Sequence, residues 1–360
     1  MTRHGKTSAG RQRWRCKACG PSQVARIDST AKHLDEFLAW LLSRRRQADM
    51  PGAGRSFRRR TQKLWDIWPL PTIVDEVHRG IYVDGIHLGR KAVVLIARTE
   101  EHVVGWYLAK TENSRAWAAL MSRIAPPDMV VTDGGSGFEK ARRQVWPDTV
   151  VQRCLFHAFN QIKTGTTRRP RLQAGKELYA LGLRLLHLET RSQAQWWVDD
   201  YVTWANQWSE FLAEKTWING RLVFTHERLV RARNGVNRLI SADTLFTYLD
   251  VELASDGPLP STNNLIEGGT NAPLRTVLRD HRGMRLMRRV KAIFWWCYMH
   301  TETPLPPAQI LKMMPTDADI QARYDEINEI DRHHQSISLW GDAIAWHELH
   351  TTGPYRTDWD

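Results

Sequence analysis

Residues 80–108 read GIYVDGIHLGRKAVVLIARTEEHVVGWYL. Three runs rich in β-branched and aromatic residues, Ile81–His87, Ala92–Ala97 and His102–Leu108, follow one another across short connections. One connection contains Gly89, the other is Arg98-Thr99-Glu100-Glu101. Strands this close in sequence pair with their neighbours, so the stretch predicts an antiparallel three-strand meander. Towards the C-terminus the period changes. Ser114–Ile124 carries Ala116, Trp117 and Leu120 at helical spacing and stops at Pro126-Pro127. Met129–Thr132 is a short apolar run, Gly137–Val145 reads as helix, and Thr149–Arg153 as a further strand. Three strands, then helix, strand, helix and strand, predict a mixed α/β sheet, a class in which ligands gather at strand ends.

Two carboxylates stand where apolar runs stop. Asp84 follows Ile81-Tyr82-Val83, and Asp133 closes the run beginning Met129-Val130-Val131. A buried carboxylate is costly without a metal or a donor network. Carboxylates at strand ends are well placed to hold two divalent ions for chemistry at phosphorus. The plainer reading of each is an Asp-Gly turn, because Gly85 follows Asp84 and Gly134-Gly135 follow Asp133. Those last glycines also let the backbone turn sharply and approach a bound phosphate. A Walker loop is excluded, since no Gly-Lys-Ser/Thr follows. Glu267, in STNNLIEGG (261–269), is a weaker signal by itself, because Asn263 and Asn264 read as helix caps.

The charge balance says what such a site meets. Among 360 residues there are 51 Lys+Arg and 39 Asp+Glu, a formal net charge of +12. That excess points to a polyanion, so the phosphodiester is expected to be nucleic acid. No apolar run approaches the ~18–20 residues of a spanning helix, and the basic N-terminus lacks the apolar stretch of a signal peptide. The expectation is a soluble cytoplasmic protein. Cys16, Cys19, Cys154 and Cys297 are too few and scattered for a disulfide framework. Tryptophan is abundant at 17 residues, and it serves both core packing and base stacking.

Upstream, residues 1–70 are the most basic part, with Lys and Arg outnumbering Asp and Glu roughly three to one. Cys16 and Cys19 have the C-x2-C spacing of half a zinc ribbon; zinc normally takes four ligands, and the alternative is a knuckle without metal. His33–Ser43 places Leu34, Phe37, Leu38, Leu41 and Leu42 on one helical face. A turn at residues 49–54 leads to a second helix over Arg55–Trp68, with Phe57, Thr61, Leu64 and Trp65 inward. Its other side carries Arg58, Arg59 and Arg60. Helix, turn and basic helix suggest a helix-turn-helix whose second helix meets DNA through these residues and Arg55. An ordinary helical hairpin with a solvated basic face is the alternative.

Downstream, Cys154 and His157 sit two residues apart after the last strand, on one face of a helix starting there. They read as two zinc ligands without a second pair, or as a satisfied structural pair. Residues 170–250 are helical, with Trp197, Tyr201, Trp204, Trp208, Phe211 and Leu212 forming a stripe that reads as core. The turn Ser255-Asp256-Gly257-Pro258 ends the block. A final helix from about Asn264 to His300, broken near Gly283, carries Arg275, Arg279, Arg282, Arg285, Arg288, Arg289 and Lys291. This basic row suggests a groove for a DNA backbone. His281 and Arg282, near Glu267 in sequence, are candidates to orient a phosphate. The tail from Pro304 shows short helical patterns and no motif.

YVDG (82–85), VVTDGG (130–135), C-x2-H after a strand, STNNLIEGG and a basic helix with HRGM (281–284) together resemble the Mutator-like transposases of bacterial insertion sequences. The resemblance covers about residues 78–168 and 256–300. GKTSAGRQRWRCKAC (5–19) resembles the N-terminal module of related transposases, without the first metal-binding half of its ribbon. The family implies a DDE enzyme with an RNase-H-like core, a mixed sheet interrupted by an all-helical insertion, and the helix-turn-helix-like DNA-binding region read from the residues precedes it. Mapped on this chain, it implies a ribbon-like segment at 1–20, the DNA-binding region at 21–72, the core at 78–168, the insertion at 169–255, the Glu-bearing helix at 256–300 and a tail at 301–360. Asp84, Asp133 and Glu267 would be catalytic and hold Mg²⁺ or Mn²⁺, with Cys154 and His157 as a signature beside the site. The partners implied are element ends and target DNA, met by a homo-oligomer at the bacterial nucleoid. A structure-specific nuclease or resolvase on the same core, and a non-catalytic repressor derived from a transposase, are the competing readings.

Overall fold

The computed structural model describes residues 1–24, 28–255 and 257–334. They form two compact units, one of Met1–Ile67 with Leu305–Thr316, the other of Trp68–Pro304 with the chain from Asp317.

The first unit opens with a small antiparallel sheet, β1 (Thr2–Lys6), β2 (Gln12–Arg15) and β3 (Ser22–Val24). Cys16 and Cys19 lie on the turn between β2 and β3. Helix α1 (Thr30–Leu41) buries Leu34, Phe37, Leu38, Trp40 and Leu41. The second helix is shorter than its periodicity suggests: α2 spans Ala53–Thr61, and a 3-10 segment, Gln62–Asp66, follows. The change of helix type still turns Leu64 and Trp65 inward, where Trp65 meets Phe37 edge-on at 4.9 Å. Trp40 meets Phe57 at 5.4 Å, and α1 also packs on the helix Pro307–Met313.

The second unit is built on the expected meander, β4 (Gly80–His87), β5 (Val93–Arg98) and β6 (Val103–Ala109). Helices α3 (Ser114–Met121) and α4 (Ser136–Val145) alternate with β7 (Met129–Thr132) and β8 (Val150–Arg153). The strand order is β6-β5-β4-β7-β8; the β4, β5 and β6 pairings are antiparallel, and β4-β7 and β7-β8 are parallel. The crossovers through α3 and α4 put both helices on one face. There Trp117 meets Phe138 at 5.3 Å above Ile81, Val83, Leu95 and Val130.

After α5 (Leu155–Thr166) the chain forms a helical subassembly of α6 (Gln173–Leu185), α7 (Arg191–Gln207), α8 (Ser209–Ala213) and α9 (Glu227–Ser241). The stripe on α7 is core: Trp197, Tyr201 and Trp204 are buried and stack successively at 5.8 Å. Their polar atoms are satisfied, with Trp197 Nε1 donating to Leu181 O and Trp204 Nε1 to Ala174 O. One expectation is corrected. The block is not all-helical, because β9 (Lys215–Ile218) and β10 (Arg221–Phe224) form a hairpin. Asn219 and Gly220 both have positive φ, the backbone that a two-residue hairpin turn requires. The hairpin is a separate two-stranded sheet, so the insertion adds no strand to the central one. Asp256, in the turn after the block, lies outside the described residues.

The last expected helix is broken as its glycine suggests. Helix α10 (Asn264–Ile266) passes into a π-helical turn, Glu267–Asn271, and then α11 (Ala272–Asp280). Gly283 has φ +93° between α11 and α12 (Leu286–Met299). The helix Asp317–His334 is the last described element. No helix among the described residues is long and apolar enough to cross a membrane.

Candidate active site

β4 and β7 run side by side, with Ile81 opposite Val130 and Tyr82 opposite Val131. Two residues further on, the same register sets Asp84 beside Asp133. Neighbouring strands lie ~4.8 Å apart and side chains alternate between faces. Ile81, Val83 and Val130 enter the core with α3 and α4, so Asp84 and Asp133 belong to the opposite face. β8 continues the row: Thr132 is opposite Arg153, which places Cys154 beside Asp133. Asp133 and Cys154 thus follow the ends of β7 and β8, whereas Asp84, expected at a strand end, lies in the middle of β4, which continues to His87 because Ile86 pairs on with β5.

Glu267 comes from far along the chain. Leu155 N–H donates to Ser261 O at 3.0 Å, Asn263 N–H to Cys154 Sγ at 3.1 Å, and Asn263 Nδ2 to Val83 O at 3.0 Å. These bonds pin the start of α10 to the middle of β4 and to the end of β8. Asn263 occupies the N-cap position, yet its side chain reaches the sheet rather than capping the helix. Arg98 holds the π turn, donating from Nη1 to Thr270 Oγ1 at 3.1 Å. Asn271, at the end of that turn, donates from Nδ2 to Asp84 Oδ2 at 2.6 Å.

The electrostatics follow from this crowding. Burial pushes the Asp84 carboxyl up to about 6, and the charges of Asp133, Glu267 and Glu112 act in the same direction. The Gly85 N–H, donating to Asp84 Oδ1 at 2.7 Å, opposes them. Glu267 Oε1 is 3.5 Å from His157 Nδ1. Burial raises the Cys154 thiol, but hydrogen bonding from His157 and the Asn263 N–H outweighs it and the net shift is downward. The Cys154 hydrogen bond raises His157 against its burial, helped by Cys154, Glu267 and Asp133 charge.

One ligand atom from each of Cys154, His157 and Glu267 lies within 4.8 Å of the other two. Among the described residues no such compact group comprises Asp84, Asp133 and Glu267, and none includes Cys16 or Cys19. The charges of Asp133 and Glu267 nonetheless act on Asp84. The sequence-based reading thus has its C-x2-H pair and its third acid brought together. His281 is buried at the end of α11 and Arg282 is exposed, and neither figures among the groups that perturb Asp84 or His157.

Several neighbours carried no sequence signal. Glu112 follows β6, and its Oε2 lies 3.4 Å from His87 Nε2. Arg153 is packed against Gly134, whose φ is +83° and where a Cβ would lie 1.6 Å from Nη1. Gly134 therefore makes room for a guanidinium, a role different from a phosphate turn. Of the candidate DNA contacts, Arg55, Arg58 and Arg59 are exposed, as are Arg275, Arg279 and Arg285. Arg60 is instead engaged with Glu36 at 2.8 Å.

Residues 87–210 match the model of the Mutator family of transposases. The chain is similar to the transposase for insertion sequence element IS905 of Lactococcus lactis, with 31% identity over 103 residues, 26% of this chain and 25% of that protein. It is also similar to a probable insertion sequence transposase of Corynebacterium diphtheriae, 29% identical over 87 residues, 22% of this chain and 25% of the relative. The chain thus spans about a quarter of the length of these curated relatives. The resemblance to Mutator-like insertion-sequence transposases is borne out.

Proposed function

We propose that this chain, with its Mutator-family segment at residues 87–210, is a DNA transposase that cleaves the ends of an insertion sequence and joins them to target DNA. The observation that carries the reading is the β4-β7 register, which sets Asp84 beside Asp133, with Glu267 brought close enough for its charge to act on Asp84. The strand order β6-β5-β4-β7-β8, antiparallel then parallel, supports an RNase-H-like core.

The donor set fits a hard divalent cation. Asp84, Asp133 and Glu267 offer oxygens, which Mg²⁺ and Mn²⁺ prefer, and Glu267 Oε1 is buried without a hydrogen-bond partner. The carboxyl of Asp84 is raised by burial first and by the charges of Asp133, Glu267 and Glu112 as well. When bound, such ions activate an attacking oxygen and stabilise a leaving oxygen at phosphorus. The residues of the chain do the positioning. Asp84 and Asp133 are fixed by the sheet, and Glu267 by the π turn. His157, held towards its protonated form beside Glu267, can donate to a phosphate oxygen. The exposed arginines of α11 and the loop after it, Arg275, Arg279, Arg282 and Arg285, form a surface for the DNA backbone. Arg55, Arg58 and Arg59 on α2 make the first unit the candidate for reading element ends, as a helix-turn-helix-like module.

A supercoiled plasmid carrying the element ends tests the reading. With Mg²⁺ the protein should nick at the ends and join the freed 3′-OH to a second DNA. Asp84→Asn, Asp133→Asn and Glu267→Gln should each lower both steps at least ~10³-fold while retaining binding in gel shift. Cutting without joining would replace this reading with a nuclease, and binding without cutting with a repressor.

A further inference from the structure

Asn271 belongs to none of the motifs of the chain, yet it touches the centre of the candidate site. It is fully buried, and its Nδ2 donates to Asp84 Oδ2 at 2.6 Å. The orientation of the amide follows from its partner. An ionised carboxylate only accepts, so the nitrogen must face it. The other oxygen, Asp84 Oδ1, accepts from the Gly85 N–H at 2.7 Å. Both carboxylate oxygens are therefore fixed, each by a neutral donor. A carboxylate has about four lone-pair sites, so this clamp leaves half of them open. A lysine or arginine in the same place would neutralise the charge and compete with a cation.

The position of Asn271 is no accident of a regular helix. It ends the π-helical turn that begins with Glu267, and such turns concentrate at functional sites. Arg98 anchors that turn through Thr270, the residue before Asn271. One rigid turn thus carries both Glu267 and the donor that holds Asp84. Asn271 Oδ1 is also buried and has no partner in the protein. An acceptor left so costs free energy, and a water entering with a cation would satisfy it.

We propose that Asn271 is a positioning residue, which sets the rotamer of Asp84 so that its open lone pairs face the divalent-cation site shared with Asp133 and Glu267. This inference rests on the transposase reading of the same carboxylates. It commits to a divalent cation as the ligand whose affinity Asn271 controls. Outer residues that orient metal ligands typically change affinity about 10–100-fold when removed.

The test uses the full chain and Mn²⁺, whose binding is read directly by electron paramagnetic resonance. Asn271→Ala should weaken Mn²⁺ about tenfold and raise the Mg²⁺ concentration for half-maximal end cleavage to match. The maximal rate at saturating Mg²⁺ should fall much less. Asn271→Leu keeps the size but removes the donor without adding a charge, and should show the same loss. Thermal melts without metal establish that both variants fold. Unchanged Mn²⁺ affinity in folded Asn271→Ala overturns the proposal, as does a lower maximal rate with an unchanged Mg²⁺ requirement. Asp84→Asn separates the two readings. If it too leaves Mn²⁺ binding and cleavage intact, the catalytic assignment fails; if it abolishes them while Asn271→Ala does nothing, only the role of Asn271 fails.

Discussion

Asp84 shows what burying a single carboxyl costs the fold. Its carboxyl is held at about 6 against an ordinary 3.8, chiefly by burial. Between those values the folded chain keeps a proton that the unfolded chain has released. Stability therefore falls as pH rises through this window, and the full cost is present above about pH 6. Asp84→Asn should relieve it. In metal-free buffer the variant should be more stable by about 2–3 kcal/mol at pH 7.5 and nearly equal to the parent at pH 4. Urea unfolding at both pH values checks this, and an equal difference at the two would refute the burial argument. That Asp84 ends an apolar run was plain in the sequence. Its neighbours were not, because Glu112, Asn271 and Arg153 lie in segments whose spacing suits ordinary turns and helices.

Among the elements, the insertion gives the clearest contrast between local and long-range signals. The apolar stripe of α7 follows helical spacing, and Trp197, Tyr201 and Trp204 are buried as that spacing implies. The hairpin inside the same block was missed, although Asn219-Gly220 between two β-rich runs is a strong local turn signal. Trp217, Ile218, Leu222 and Phe224 of this hairpin are exposed. Gly220 has φ +74° with nothing within 4 Å of where a Cβ would stand, so only backbone strain opposes substitution there. Gly220→Ala should destabilise the hairpin by about 1 kcal/mol. Amide exchange should quicken across residues 215–224 while the global melting temperature stays put. Protection unchanged in the hairpin would show that its turn is not what holds it.

At the scale of the larger unit, segments remote in sequence are tied by a buried charge. Lys291 of α12 is fully buried, and its Nζ lies 2.5 Å from Asp317 Oδ1, at the start of the last described helix. The same oxygen accepts from Trp68 Nε1 at 2.6 Å, and the ammonium lies 4.6 Å from the Trp68 ring centre. Removing the two ends of the pair should not be equivalent. Asp317→Ala takes a carboxylate from a buried ammonium and should cost roughly 3–5 kcal/mol. Lys291→Met leaves a carboxylate that is about 29% exposed and still bonded to Trp68, so it should cost distinctly less. Chemical denaturation of both variants decides this, and a larger loss for Lys291→Met would reverse the argument. In the sequence Lys291 read as one more member of the basic row, because helical periodicity cannot see a partner 26 residues away.

What the sequence by itself determined are the local things. Alternating apolar runs and short polar connections specify β4, β5 and β6, since adjacent strands need little chain entropy to pair. The apolar triplets Ile81-Tyr82-Val83 and Met129-Val130-Val131 point to Asp84 and Asp133, and Gly283 marks the break after α11. Tertiary structure decided what depends on distant meetings. The parallel register of β4 on β7 makes two acids into neighbours, and the bonds from Asn263 and Arg98 return Glu267 to them across the whole insertion. No local pattern encodes such contacts, because each is chosen by the packing of elements that form independently. Which acids stand beside one another was thus decided only by what the fold set opposite them.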